Sequence, residues 1–303
     1  MKRIVILVSV LLTFLASAAW AQTVTGGATT EDVAQNVVRQ EAPCGTGCLC
    51  SPAGLIGWWA GDENAKDIQG AGIPCLKSPH VPSNGILMNG ARFARGFVRE
   101  AFSLDGIDDY VDVPDTPVLH TVTTAVTVEA WINPQRPFPL DGYGEGWVLA
   151  RRDPNVSEGF GLWINSDGFM YGPFQADLPG GVASTDPVIV YDSKWKHVAL
   201  TVDTLAGRAA VYLNGHPVAE IQDHVQISGN LANVSHLYLG RREDASVGGE
   251  FWAKYYRGLI DEVGLYNRAL TPTEIQAIYS VGRGGRCKNL FEPGPLGGGD
   301  GVR

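Results

Sequence analysis

The sequence predicts an all-β protein, an antiparallel β-sandwich with one short C-terminal helix. Three observations carry that expectation. Runs of alternating apolar and polar residues recur roughly every ten positions from Leu55 to Tyr266. Gly, Pro, Asn and Asp fill the gaps, and Asp105-Gly106 and Asn214-Gly215 are strong hairpin dipeptides, because glycine accepts the positive φ such turns need. Only one segment carries helix punctuation: Thr271-Pro272-Thr273-Glu274 combines a Thr N-cap, Pro at the first helical position and Glu at the capping-box position.

In order, Leu55 to Ala60 is the first strand. Ala101 to Leu104 and Tyr110 to Val113 flank a turn holding Asp105, Asp108 and Asp109, with Asp112 just beyond. Val126 to Ile132 alternates cleanly, with Val126, Val128, Ala130 and Ile132 on one face. Trp147 to Ala150, Gly159 to Asn165, Phe169 to Tyr171, Val188 to Tyr191 and Trp195 to Asp203 follow. Ala209 to Leu213 and Pro217 to Gln222 form a hairpin about Asn214-Gly215, and Leu237 to Leu239 and Gly258 to Tyr266 complete the set. In the helix, Ile275, Ile278 and Tyr279 share a face that should pack on the sandwich.

The ends differ in character. Residues 1–21 read as a secretory signal: Lys2 and Arg3, an apolar run from Ile4 to Leu15, and the small-x-small site Ala19-Trp20-Ala21. That run is too short for a membrane span, and no later stretch approaches one. Residues 22–50 read as a flexible, cysteine-containing leader, 51–287 as one domain and 288–303 as a disordered Gly/Pro-rich tail. The net charge is −9, and loss of Lys2 and Arg3 with the signal makes it two units more negative. Such a surface argues against nucleic acid and anionic membranes as partners. It suits divalent cations, and equally serves solubility alone. Oligomeric state has no signature in the sequence.

The five cysteines, Cys44, Cys48, Cys50, Cys75 and Cys287, lack zinc-knuckle spacing and should pair in an oxidising compartment. Cys50 precedes the first strand and Cys287 follows the helix. If the ends of the sandwich meet, a Cys50–Cys287 bridge staples the domain, worth on the order of 4 kcal/mol. Cys75 then takes Cys44 or Cys48, with one thiol left over or bridged to another molecule.

The ordered set Gly57-Trp58-Trp59-Ala60-Gly61-Asp62, Phe102 to Pro114, Val128-Glu129-Ala130-Trp131-Ile132, Lys194-Trp195-Lys196-His197-Val198, Val211-Tyr212-Leu213-Asn214-Gly215 and Gly258-Leu259-Ile260-Asp261-Glu262-Val263 through Leu270 resembles the laminin-G-like, concanavalin A-like jelly-roll family of exported bacterial proteins. The resemblance implies two stacked, curved sheets with a concave face, and a role in adhesion or carbohydrate recognition, often with calcium.

Strand parity turns Glu129, Trp131, Trp163, His197 and Tyr212 away from the apolar faces. On a concave face, such rings stack on sugars while Glu and His bind hydroxyls. The competing reading is that these aromatics merely cover sheet surface or fill the core. Asp62, Asn64, Asp105 and Asp261 are the candidate calcium ligands, since calcium takes six to eight oxygens. The resemblance makes the first and last strands neighbours, which lets Asp62 approach Asp261. The same residues also serve as ordinary turn formers. No glycosidase-like run of paired acids, Gly-x-Ser-x-Gly, His-Glu-x-x-His or phosphate loop is present. The expectation is an exported, non-catalytic, lectin-like module supported by calcium. The alternatives are a glycosidase or lyase using Glu129, and a structural or adhesion domain that binds protein.

Overall fold

A computed structural model describes residues 48–71, 81–135, 145–153, 158–165, 168, 170–172, 182–183, 192–221, 231–243 and 253–288. Six strands come first: β1 (Leu55–Trp59), β2 (Ile86–Met88), β3 (Arg92–Arg95), β4 (Glu100–Asp105), β5 (Tyr110–Val113) and β6 (Ala125–Pro134). Then come β7 (Glu145–Asp153), β8 (Glu158–Asn165), β9 (Met170–Gly172), β10 (Val182–Ala183), β11 (Lys196–Asp203), β12 (Arg208–Leu213) and β13 (His216–Ile221). The last are β14 (Leu237–Leu239), β15 (Arg241–Glu243), β16 (Ala253–Tyr255), β17 (Arg257–Tyr266) and the helix α1 (Pro272–Val281).

The strands build two antiparallel sheets. The first runs β13-β12-β11-β6-β17-β4-β3, with β1 also paired to β17. The second runs β10-β9-β8-β7-β14-β5-β2, and β15 pairs with β16 in a separate ribbon. Across the β6–β11 ladder Ala130 faces Val198 and Val128 faces Leu200. Alternate residues therefore point inward, as the sequence pattern predicts. Val126, Val128, Ala130 and Ile132 join Val198, Leu200 and Val211 from the same sheet and Leu149, Phe160, Leu162 and Ile164 from the other in one core. Each buried Val, Leu, Ile or Phe among them contributes roughly 1.5–3 kcal/mol by leaving water.

The hairpins follow their turn chemistry. Gly106 has φ +76°, and a Cβ there would lie 2.6 Å from Arg257 Cβ. Asn214 and Gly215 both have positive φ in the β12–β13 turn. Helix α1 starts with the expected capping box: Thr271 accepts from the Glu274 N–H while the Glu274 carboxylate accepts from the Thr271 N–H. Arg268 grips the same carboxylate through Nη1 at 2.9 Å and Nη2 at 2.5 Å. Ile275 and Ile278 pack with Trp58, Ala199, Ala210, Tyr212 and Tyr266 on the outer face of the first sheet.

The disulfide differs from the expectation. Cys287 pairs with Cys48, not Cys50. Leu49 and Arg286 form a parallel bridge, with Leu49 N–H donating to Gly285 O and Cys287 N–H to Leu49 O. This rung brings the Cα atoms of Cys48 and Cys287 to 5.0 Å. Cys50 is disulfide-bonded as well, and no described cysteine is free. Cys48 to Cys50, read above as part of the leader, and Lys288, read as part of the tail, are among the described residues. The predicted signal, the rest of the predicted leader, Cys44, Cys75, the strand expected at Val188 to Tyr191 and the rest of the predicted tail lie outside the described residues. Among the described residues no helix is long and apolar enough to cross a membrane.

Candidate functional site

The outer face of the first sheet carries four of the five expected ligand residues, and the C-terminal segment covers them. Trp131 stands opposite His197, and Ala199 between Glu129 and Tyr212, in the β6–β11–β12 ladders. They share a face, as parity requires, but Glu129, His197 and Tyr212 are no more than 3% exposed. Glu129 Oε1 accepts from Arg286 Nη1 at 2.5 Å, and Glu129 Oε2 lies 3.2 Å from His197 Nε2. Gly264 leaves room for this pair, because a Cβ there would lie 2.1 Å from Glu129 Oε1. Burial pushes the Glu129 carboxyl up, but Arg286 and His197 overcome that and hold it below the ordinary carboxylate range. Burial pulls Arg286 down, and Glu129, Tyr266 and Glu262 more than restore it, so the guanidinium stays charged. Glu129 and His197 are interior groups, where the sequence placed them on a ligand face.

Trp163 does not belong to that face. It lies on β8 in the second sheet, 5% exposed, and stacks on Trp147 with ring centroids 4.4 Å apart. No ligand can bridge it to Trp131, because two sheets and the core intervene. Tyr212 is packed in the apolar cluster under α1.

The expected calcium ligands separate into two places. Asp62 and Asp261 do come to the same region, because β1 pairs with β17. Asp62 Oδ2 meets Lys288 Nζ at 2.5 Å, and the same ammonium lies 2.9 Å from Glu262 Oε1. Lys288 thus pairs with Asp62 and Glu262, and Arg286 with Glu262, from the far end of the chain. Asn64 closes its own turn, donating to Asp62 O and accepting from the Lys66 N–H. Asp261 Oδ2 accepts from the Val98 N–H, and Oδ1 has no partner among the described residues. Burial, with Glu262 alongside, pushes the Asp261 carboxyl up to about 8. Asp105 sits at the opposite end of β4 from Glu100, whose N–H donates to Asp62 Oδ1. Five strand steps separate them by about 17 Å, so Asp105 cannot share an ion with Asp62 and Asp261. At the β4–β5 turn, Asp105, Asp108 and Asp109 hold ligand atoms within 4.8 Å of one another. Asp105 Oδ1 accepts from the Ile107 and Asp108 N–H groups, and Asp109 accepts from Gly90 and Asp105.

Beside the covered face, an aromatic hollow of about 390 Å³ remains, lined by Phe97, Trp131, Trp195, Asn214, Tyr279, Ser280 and Gly282. The β3–β4 turn supplies Phe97, closed by Gly96 N–H to Arg99 O at 2.8 Å. Phe97 stacks on Trp131 with centroids 3.6 Å apart, and Tyr279 stacks on Trp131 at 5.8 Å. Trp195 stands 6.1 Å from Phe97 across the opening. Phe97, Trp195 and Tyr279 are half-buried, so their rings face both the protein and solvent. Asn214 Oδ1 accepts from the His197 N–H, which leaves Nδ2 without a partner among the described residues. Ser280 Oγ accepts from Gln276 Nε2. The hollow therefore offers ring faces and uncharged polar groups, and its lining contains no carboxylate. Trp131 is the one expected ligand residue that lines it. Alternation along the chain puts Trp195, two positions before His197, on the same face. Phe97 and Tyr279 were missed, because one lies in a turn between unrecognised short strands and the other read as a packing residue of the helix.

Two stacked antiparallel sheets, a capping helix on one outer face and an aromatic hollow at its end define a lectin-like jelly-roll sandwich. The chain belongs to the concanavalin A-like lectin/glucanases superfamily, whose family model matches residues 105–276, more than half of the sequence. Among solved structures it is similar to domain 4 of AbnA, a GH43 extracellular arabinanase from Geobacillus stearothermophilus in complex with arabinotriose. The identity is 18%, the TM-score 0.51, and coverage 74% of this chain and 97% of that one. It is also similar to the binding domain of Paraclostridial Mosquitocidal Protein 1, at 15% identity and TM-score 0.54, covering 75% and 52%. The binding domain of botulinum neurotoxin DC, in complex with SialylT, aligns at 14% identity and TM-score 0.51, covering 75% and 51%. The chain thus spans nearly all of the arabinanase domain and about half of the two toxin-related structures. These likenesses show the fold. No curated protein sequence matches the chain.

Proposed function

We propose that the protein is an exported, non-catalytic lectin-type module that binds carbohydrate in the hollow between Phe97, Trp195 and Tyr279. The observation that carries this reading is the set of half-buried rings around a volume of about 390 Å³, edged by Asn214 and Ser280. Rings stack on the C–H faces of sugars, and the amide and hydroxyl meet their oxygens. The arabinotriose and SialylT complexes of the similar structures support it by analogy. The signal-like N-terminus and the disulfide support export. Ordinary glycoside hydrolysis needs two carboxyl groups flanking the bond. The lining has none, and Glu129 is committed to Arg286 and His197. Titration with neutral oligosaccharides, followed by tryptophan fluorescence and calorimetry, tests the reading. Trp195→Ala is expected to weaken binding about tenfold, from the lost stacking. Unchanged affinity in that variant would place the site elsewhere.

A calcium ion fits the Asp105–Asp108–Asp109 turn better than Asp62 and Asp261, whose surroundings already hold cationic side chains. Three clustered carboxylates supply part of the six to eight oxygens needed. Calcium should then raise the thermal midpoint of the wild type and not of Asp108→Asn. Equal midpoints in calcium and chelator for both proteins would remove the ion from the account.

A further inference from the structure

The lining of the hollow holds no acid, and two exposed arginines follow closely on lining residues, Arg99 after Phe97 and Arg283 after Gly282. Phe97 is held between two partners. Trp131 stacks on one face at 3.6 Å and an interplanar angle of 17°. The Arg283 guanidinium lies over the ring at 4.8 Å from its centroid, and Arg283 Nη1 donates to Phe97 O at 2.7 Å. With Trp131 so close on one face, Arg283 takes the other. Arg283 directly follows Gly282, which lines the hollow, and is exposed. Arg99 closes the turn that presents Phe97, and is exposed at φ +58°. Neither Arg99 nor Arg283 has an ion-pair partner among the described residues.

The nearby acids have partners of their own. Glu100 Oε2 accepts from the Glu63 N–H. On the Trp195 side, Asp192 is bound to Lys196 at 2.6 Å with Lys194 at 3.9 Å. Under the Phe97 turn, Asp261 is buried and accepts from the Val98 N–H. On a chain of net charge −9, Arg99 and Arg283 are two exposed cations on the segments that flank the hollow. Guanidinium groups bind carboxylates and sulfates through paired, charge-assisted hydrogen bonds.

We infer that the hollow selects an anionic saccharide, bearing a carboxylate or a sulfate, with a sugar ring against Trp195 and Tyr279 and the anion on Arg283 and Arg99. The inference rests on the carbohydrate reading of the hollow and adds its ligand class. Calorimetry of the full chain with three oligosaccharides of equal length tests it: one neutral, one uronate-bearing, one sulfated. At low salt an anionic arm should bind about tenfold tighter than the neutral arm, and the margin should shrink as sodium chloride is raised. The arm that binds tighter identifies the anion. In the double variant Arg99→Gln, Arg283→Gln the ratio of anionic to neutral affinity should fall towards one. Arg99→Lys, Arg283→Lys should keep part of it, with thermal midpoints confirming that both variants fold. Equal binding of all three arms by the wild type overturns the anionic inference and leaves the carbohydrate reading standing. A preference that survives the double glutamine variant overturns the assignment to these arginines. Failure of every arm overturns both readings.

Discussion

Arg286 is the residue on which the covered face of the first sheet depends. It reaches Glu129 Oε1, donates to Glu262 O through Nη2 and lies 4.6 Å over the Trp58 ring. Removing one member of a buried pair strands the other charge, at a cost of about 3–5 kcal/mol. Arg286→Met should therefore lower stability by about that amount in urea titrations, and adding Glu129→Gln should recover part of it. A loss below about 1 kcal/mol would contradict the arrangement. Asp261 gives the second residue-scale expectation. Its folded pKa of about 8 lies above its ordinary 3.8, so the fold favours the protonated form. The stability this group provides is full below about pH 3.8 and is lost as pH rises towards 8. Asp261→Asn should thus gain on the wild type as pH rises from 4 to 8. Parallel stability curves would refute a buried, hard-to-ionise Asp261. None of this was legible in the sequence. Arg286 and Glu129 are 157 positions apart, and an acid that looks unmatched in its own stretch finds its partner only through the fold.

At the scale of elements, α1 and the bridge behind it decide what the first sheet exposes. The helix was legible from Thr271-Pro272 and Glu274, and the parity of β6 and β11 from their alternation. The fate of the outer face was not. Alternation separates two faces but does not say which element lands on the second, and α1 begins some 140 residues after β6. Short strands such as β2 and β3 also escaped, because three or four residues cannot establish a period. Thr271→Ala should cost about 1 kcal/mol through the lost cap, read as a lowered thermal midpoint. Peptide mapping of the unreduced protein should recover Cys48 linked to Cys287. A Cys50–Cys287 peptide instead would refute the Leu49–Arg286 rung.

For the whole molecule, the class of fold was legible, since the ordered motifs, turn dipeptides and single helix agree on one sandwich. The site was legible only in part. Trp131 lines the hollow and Trp195 lay on the predicted face, but Trp163 sits on the other sheet and Glu129, His197 and Tyr212 are interior. Spacing along the chain names aromatics on a face, whereas a hollow arises where a turn, a strand end and a helix end meet. The account's central claim is that sugar binds there. A crystal soaked with an oligosaccharide tests it most directly. The account predicts a sugar ring within about 4 Å of the Trp195 and Tyr279 side chains. Sugar bound instead against the second sheet near Trp163, with the Trp195 hollow empty, would contradict it.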